Sequence, residues 1–473
     1  MLATLRKAGL LQELLSEGGL HAFCHPLIQE VCYRTLLRER RRTVHADVAR
    51  VMRKKFTDRQ QEQSSLLAYH LEEAGQPMEA AQAYMRSALW IGTHDAGQAL
   101  RTWRKVHQLL TTLPASDSTN FLRMQSSLQI LGFGWREGMT AEEAQRWFEE
   151  ARGLALAANN PRANAWSHAG YGRILAARGS AEEYVSRVRE ALALSAEAND
   201  RSSVAMLKAV LTQAERLAGN LDTALEVNIE ATGLTDDISQ FDRQLFSFDL
   251  DRWLTAMRAQ ILVQLGRFDE ARPYLDRMLQ TDLDPNDITL HLAHVAYVDM
   301  ASAQDDAALA ARHAERALVM AEESGSPYIR VSALACLGVS HLMSGRFEEA
   351  AHELEKAIAF ARSRNAGLES EARLLTDLAT AYRLTGDLER AERTVTEALE
   401  VASARSARVS QCLARLVHAE IALQAADPDR AELEMRNAQA LMEQTGARIH
   451  ENRARNLAAH IHQHRLRDHS HDP

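Results

Sequence analysis

The sequence predicts an all-α fold in which αα-hairpins stack into a superhelix with a period of about 40 residues, and three observations carry that prediction. At 473 residues the chain is too long for one ordinary core, so it is either several globular domains or an array growing along one axis. Its composition favours the array: hydrophobic residues make up 46% but aromatics only 5%, with nine prolines, the balance of Ala- and Leu-rich helix packing. The third observation is internal similarity, in which a Gly is followed five residues later by an Ala. Gly345-Arg-Phe-Glu-Glu-Ala350 and Gly386-Asp-Leu-Glu-Arg-Ala391 are the clearest pair, and Gly266 to Ala271 and Gly219 to Ala224 match them.

Carried in both directions, the Ala position falls at Ala144, Tyr184, Ala224, Ala271, Ala310, Ala350, Ala391 and Ala431, eight units at near-constant period. Seven residues after each comes a second small or slim residue, at Ala151, Ala191, Ala231, Met278, Ala317, Ala357, Ala398 and Ala438. Residues seven apart share a helix face, so each unit's second helix presents two small side chains to a neighbour. Ahead of each turn the first helix is patterned too, with Leu337-Gly338 then His341 before Gly345, and Leu378-Ala379 then Tyr382 before Gly386. One hairpin cannot bury its apolar stripe alone, so neighbours must stack and leave an extended concave face. Asn159-Asn160-Pro161, Asn199-Asp200 and Ser324-Gly325-Ser326-Pro327 end one helix and start the next. The longest departure, Thr232 to Asp251, carries Phe241, Phe246 and Phe248.

This pattern resembles the tetratricopeptide repeat, in which a large-small pair, an aromatic, a turn Gly and two small residues let paired helices approach closely. The period departs from it, being nearer 40 than 34. On that resemblance the repeat-defining residues are Ala224, Gly266, Ala271, Gly345, Ala350, Gly386, Ala391 and Ala431.

Residues 1–60 fall outside the repeat. A Leu-rich helix, Gly18-Gly19, a short apolar stretch from His21 to Cys24 and a long basic helix predict a partial winged-helix segment. Residues 61–115 are expected to form linking helical hairpins, 116–465 the repeat superhelix and 466–473 a disordered tail. The run from Phe23 to His45, with His25-Pro-Leu-Ile-Gln29-Glu30 and Tyr33-Arg-Thr-Leu-Leu37-Arg-Glu-Arg-Arg-Arg42, resembles the segment following the ATPase module of bacterial class III nucleotide cyclases and STAND-type signalling ATPases. Leu67-Ala-Tyr-His70, Leu110-Thr-Thr-Leu-Pro114, Gly134 to Gly138 and Tyr184 to Ala193 continue it. In that family, catalysis and nucleotide binding belong to upstream domains. The resemblance therefore implies the C-terminal portion of a larger architecture, whether as a split gene product or a truncated one.

Motifs for chemistry are missing from this sequence. No Gly-Lys dipeptide occurs, so there is no phosphate-cradling loop, and neither HExxH nor GxSxG is present. Cys24, Cys32, Cys336 and Cys412 form no CxxC pair and read as buried thiols in a reducing cytoplasm. His460, His462, His464, His469 and His471 cluster near the C-terminus, but a His-rich tail without fixed geometry is expected to be solvated. The basic run Arg38 to Arg42, with Arg50, Arg53, Lys54 and Lys55, is read as a solvated helix face, not a nucleic-acid contact. Asp282 to Asp287 mimics an EF-hand opening, but lacks Gly at the sixth position and has Ala293 at the twelfth. His313-Ala-Glu315 and His418-Ala-Glu420 are ordinary helix faces, because no Pro-Cys-x-x-Cys follows either. The six tryptophans all precede residue 254. Core packing is their plainer role, while Trp135, Trp166 and Trp253 are candidate groove aromatics.

The expectation is thus a cytoplasmic module without cofactor, metal or catalytic residues. It would hold a protein, peptide or small effector on its concave face, with an ATPase or cyclase subunit as a partner and no membrane contact. Two other readings are descent from an adenylate/guanylate cyclase or ATP-binding regulator, and a STAND-type transcriptional regulator acting through residues 1–60.

Overall fold

The computed structural model describes residues 2–13, 21–55, 63–92, 95–178, 180–240, 242, 249–280 and 287–469. Among these the chain forms 23 α-helices, three short 3₁₀ turns and one two-stranded hairpin. Gly18-Gly19, Phe241, Phe246, Phe248, Asp282 to Asn286 and His471 lie outside the described residues. The chain divides into two compact units, Met1–Trp90 with Lys105–Pro114, and Ile91–Arg104 with Ala115–Pro473.

In the first unit, α1 (Leu2–Lys7) precedes a small antiparallel hairpin of β1 (Leu11–Glu13) and β2 (His21–Phe23), in register Leu11 to Phe23. Next comes α2 (Pro26–Thr35), with Pro26 in its first turn and the His25 ring accepting the Leu27 N–H. It is followed by α3 (Arg38–Lys55), α4 (Ser64–Glu73) and α5 (Pro77–Ile91). Tyr33, His45 and His70 tie α2, α3 and α4 together: the Tyr33 hydroxyl meets His45 Nε2 at 3.1 Å, and His45 Nδ1 meets His70 Nδ1 at 2.8 Å. Apart from the half-buried Arg41, the basic residues from Arg34 to Lys54 are exposed, and Arg34 pairs with Glu30 and Arg50 with Asp47 along their own helices. Cys24 and Cys32 are exposed as well, against the expectation of buried thiols, because this short segment has little core to cover them, whereas Cys336 and Cys412 are buried. The helix α6 (Ala96–Thr111) contributes to both units.

The second unit is a tandem array of eight αα-hairpins. They are α7 (Asp117–Gly134) with α8 (Ala141–Ala157), α9 (Pro161–Arg178) with α10 (Ala181–Glu197), α11 (Arg201–Leu217) with α12 (Leu221–Gly233), and α13 (Leu250–Gln264) with α14 (Phe268–Leu279). Then come α15 (Ile288–Gln304) with α16 (Ala307–Ser324), α17 (Pro327–Met343) with α18 (Phe347–Arg364), α19 (Glu371–Leu384) with α20 (Leu388–Ala404), and α21 (Arg408–Gln424) with α22 (Pro428–Thr445). A final helix, α23 (Glu451–His469), covers the last hairpin, with Leu457 and Ile461 buried against Cys412 and Leu416.

The periodic positions all lie in the core. Ala144, Tyr184, Ala224, Ala271, Ala310, Ala350, Ala391 and Ala431 are no more than 1% exposed, and their partners seven residues on are no more than 3% exposed. Small side chains there set the distance between helices: a Cβ on Gly338 of α17 would stand 2.6 Å from Leu354 Cγ of α18. Left-handed residues punctuate the array at both kinds of turn. Gly138, Gly219, Gly266, Asp305, Gly345, Gly386 and Ala426 turn within hairpins, and Asn159, Asn199, Gly325, Asn365, Ser406 and Gly446 turn between them. Each ends a helix in the conformation that Gly and Asn adopt most readily. In the long interval after α12, Asp242 is fully buried and is held by Arg162 of α9, Ser202 of α11 and Ser239.

The superhelix closes on itself, because turns of the first four hairpins meet the turns that follow hairpins four or five steps further on. Gly138 lies against the Arg364 carbonyl so closely that a Cβ would overlap it. The Ala181 N–H donates to the Arg405 carbonyl at 3.1 Å. Arg408 donates from Nε to the Ala218 carbonyl and from Nη2 to Asn220 Oδ1, at 2.8 and 2.5 Å. Gly446 sits over Leu265 and Asp222, and Gly266 over Arg448.

Candidate interior binding site

Closure forms a partly open cavity of about 180 Å³ between the first helices of successive hairpins. It is lined from α9 by Arg173, from α11 by Gln213 and Arg216, from α13 by Gln260 and Gln264, and from α15 by Asp299. On the far side stand Tyr328 and Cys336 of α17, Glu369 of the following 3₁₀ turn, Arg373 and Asp377 of α19, and His450. Apolar side chains, among them Val263, Leu292, Val295 and Leu374, fill the intervals.

Three ion pairs, made by two arginines, brace the wall. Arg173 Nη2 meets Glu369 Oε1 at 2.6 Å, with side-chain exposures of 6% and 9%, and the same guanidinium lies 3.9 Å from the Trp135 ring centre. Arg373 Nε meets Asp377 Oδ2 at 2.7 Å and Arg373 Nη1 meets Asp299 Oδ1 at 3.5 Å. Burial opposes the charge on both arginines. The carboxylates override it, Glu369 for Arg173 and then Asp377 and Asp299 for Arg373, so both are held above the ordinary arginine range.

Arg216 differs, since no described carboxylate lies within ion-pair distance of it. Burial lowers its pKa, and the charges of Tyr328 and Asp299 only partly offset that. Burial likewise raises Asp299 and the Cys336 thiol, and depresses His450 to about 3, so the imidazole is neutral. Several polar atoms of the wall have no hydrogen-bond partner: Arg173 Nε and Nη1, Arg216 Nε, Gln260 Oε1, Gln264 Oε1 and Glu369 Oε2. Buried polar groups are ordinarily met by protein, water or a ligand, so this wall has donors and acceptors to offer to whatever fills the cavity.

The candidate groove aromatics fall behind and beside this wall. Trp135 is 9% exposed and backs onto Arg173 and Tyr328, its ring edge-on to Tyr328 at 4.9 Å. Trp166 packs against Ala165, Leu207 and Ala205 and donates from Nε1 to Ser203 Oγ, while Trp253 is buried in α13. None of the three is among the residues lining the cavity. The repeat-defining residues lie elsewhere, within the hairpins or at their turns. Among the described residues no group of three His, Cys, Asp or Glu is placed to hold a metal ion.

The wall residues escaped the sequence reading, although a signal for them exists. Arg173, Gln213, Gln260 and Asp299 each precede a periodic position by eleven residues, so one register position of the first helix carries a polar wall side chain in four successive hairpins. Such a position looks like a solvated helix face until closure turns it inward.

Residues 329–404 match a family model of the tetratricopeptide repeat, and residues 256–285 match a second. None of the curated proteins compared with the chain matches it. Among solved structures, similarity extends to a tetratricopeptide repeat protein from Parabacteroides merdae, at 13% identity over 67% of this chain and 98% of that one, with a TM-score of 0.35. A Rap protein complexed with Competence and Sporulation Factor is similar at 10% identity over 82% of this chain and 99% of that one, with a TM-score of 0.40. A STAND protein with a tetratricopeptide repeat sensor from Pyrococcus horikoshii is similar at 14% identity over 93% of this chain and 57% of that one, with a TM-score of 0.38. Among the described residues, no helix is long and apolar enough to cross a membrane.

Proposed function

We propose that this chain is a non-catalytic interaction or effector-sensing module of the tetratricopeptide kind, that it works in the cytoplasm for a bacterial signalling ATPase or nucleotide cyclase, and that its working surface is the interior cavity. One observation carries the choice of surface: a walled cavity holds a guanidinium without an ion-pair partner beside buried polar atoms without hydrogen bonds. Leaving such groups unmatched costs stability, and proteins tolerate that cost most often where a ligand completes the set. Small-residue hairpins supply a rigid frame for it, and the residues of the N-terminal run supply the resemblance to cyclases and STAND ATPases.

Native mass spectrometry of the full chain after incubation with a bacterial cytosolic extract tests this reading. A ligand or partner retained by the wild-type chain and lost from Arg216→Met supports it. Equal retention by both, or no retention by either, overturns the cavity as the working surface. The same preparations are expected to form no cyclic nucleotide from ATP or GTP.

A further inference from the structure

Resting on the reading that the cavity is the working surface, we infer that its ligand is a small zwitterion, an α-amino acid or dipeptide whose carboxylate is held by Arg216 and Arg173 and whose ammonium is held by Asp299, Gln260 and Gln264.

The charge inventory of the wall leads there. Three cations, Arg173, Arg216 and Arg373, face three carboxylates, Asp299, Glu369 and Asp377, and His450 is neutral. A lining that sums to zero favours a ligand that also sums to zero. Arg173 with Glu369 and Arg373 with Asp377 are matched at 2.6 and 2.7 Å. What is left over is one positive group and one negative group: Arg216, without an ion pair, and Asp299, which only leans on Arg373 at 3.5 Å. Each feels the other's charge, yet they do not pair. A slot with one open positive pole and one open negative pole is the complement of a molecule with a carboxylate at one end and an ammonium at the other.

The unsatisfied atoms sort the same way. Arg173 is 5% exposed and has two nitrogens without acceptors, and Arg216 has one, so the positive pole offers donors from two guanidiniums, one for each carboxylate oxygen. Gln260, 8% exposed, and Gln264 each present a carbonyl oxygen without a donor. The Gln260 amide is committed to the Leu292 carbonyl at 3.4 Å, which fixes its oxygen as the group left over. An ammonium carries three donors, and Asp299 and these two oxygens are three acceptors. Size agrees, since about 180 Å³ holds on the order of a dozen waters at roughly 10–15 Å³ each, room for one or two residues. Val263, Leu292, Val295 and Leu374 give the ligand's side chain an apolar seat.

Isothermal titration of the full-length chain with the free amino acids, a set of dipeptides, and their N-acetylated and C-amidated counterparts tests the inference. At least one zwitterion is expected to bind, and blocking either end should weaken it on the order of ten- to a hundredfold. Arg216→Met should weaken the amidated form no further, and Asp299→Asn should weaken the acetylated form no further, because each variant removes the pole its analogue already lacks. The separation between the two charges that binds best distinguishes an amino acid from a dipeptide. Equal binding of blocked and free forms, or binding of none, overturns the zwitterion. If the extract experiment still yields an Arg216-dependent ligand, the cavity reading survives that loss; if it does not, both fall.

Discussion

Arg173 and Arg216 line the same cavity one hairpin apart, and the structure predicts opposite consequences for removing them. Arg173→Met deletes the partner of Glu369, whose side chain is 9% exposed and whose other oxygen already lacks a donor. An uncompensated buried carboxylate costs about 3–5 kcal/mol, and that range includes the smaller loss of the guanidinium's contact with Trp135. Arg216→Met deletes a half-buried charge that has lost part of its hydration without gaining an ion pair, while Met keeps most of the aliphatic stem in place. Its effect on the ligand-free chain should lie between no change and a gain of about 1–2 kcal/mol. Urea unfolding followed by far-UV circular dichroism, in buffer free of amino acids, measures both variants. The midpoint should fall clearly for Arg173→Met and hold or rise for Arg216→Met. A fall of similar size for Arg216→Met would mean that this guanidinium has a structural partner, and the reasoning behind the open pole would fail.

Other consequences follow from packing, turns and buried histidines. Gly338→Ala should destabilise by about 1 kcal/mol, overpacking against Leu354 outweighing the helix gain, and Leu354→Ala by about 2–5 kcal/mol. The double variant should cost less than their sum, because the clashing atoms are the ones deleted, and strict additivity in a denaturation cycle would refute that. Gly386→Ala places a side chain at φ +86 and should cost about 1 kcal/mol, whereas Ala426→Gly relieves φ +59 and should hold or raise the melting temperature. His291, His294, His313 and His450 are depressed by burial from 6.5 to about 3, 4, 4 and 3. Below pH 6.5 the unfolded chain takes up protons that the folded chain refuses, so stability present above that pH is lost as pH falls towards 4, by up to about 1.4 kcal/mol per unit per histidine. Urea midpoints at pH 7.5 and 5.5 should therefore differ, and the difference should shrink in His450→Gln; identical midpoints would contradict the buried neutral rings.

By itself the sequence determined the hairpin, its period and its core. Two small residues seven apart and a turn with left-handed backbone are local requirements of close helix packing, and local requirements repeat wherever the unit repeats. Ala350 and Ala391 could therefore be identified as buried without knowing what lay beyond the neighbouring hairpin. The interior wall had no such local signature. Arg173, Arg216 and Asp299 sit on first-helix faces that look solvated in an isolated hairpin. They become one site only because the superhelix returns on itself, bringing Gly138 to Arg364, Ala181 to Arg405 and Gly266 to Arg448 across more than 180 residues. How far each hairpin rotates against the next is a small quantity spread over every interface, and its sum over four or five hairpins decides whether the array stays open or closes. The tertiary structure alone fixes that sum, and with it the pairing of Arg173 to Glu369 and the open poles at Arg216 and Asp299.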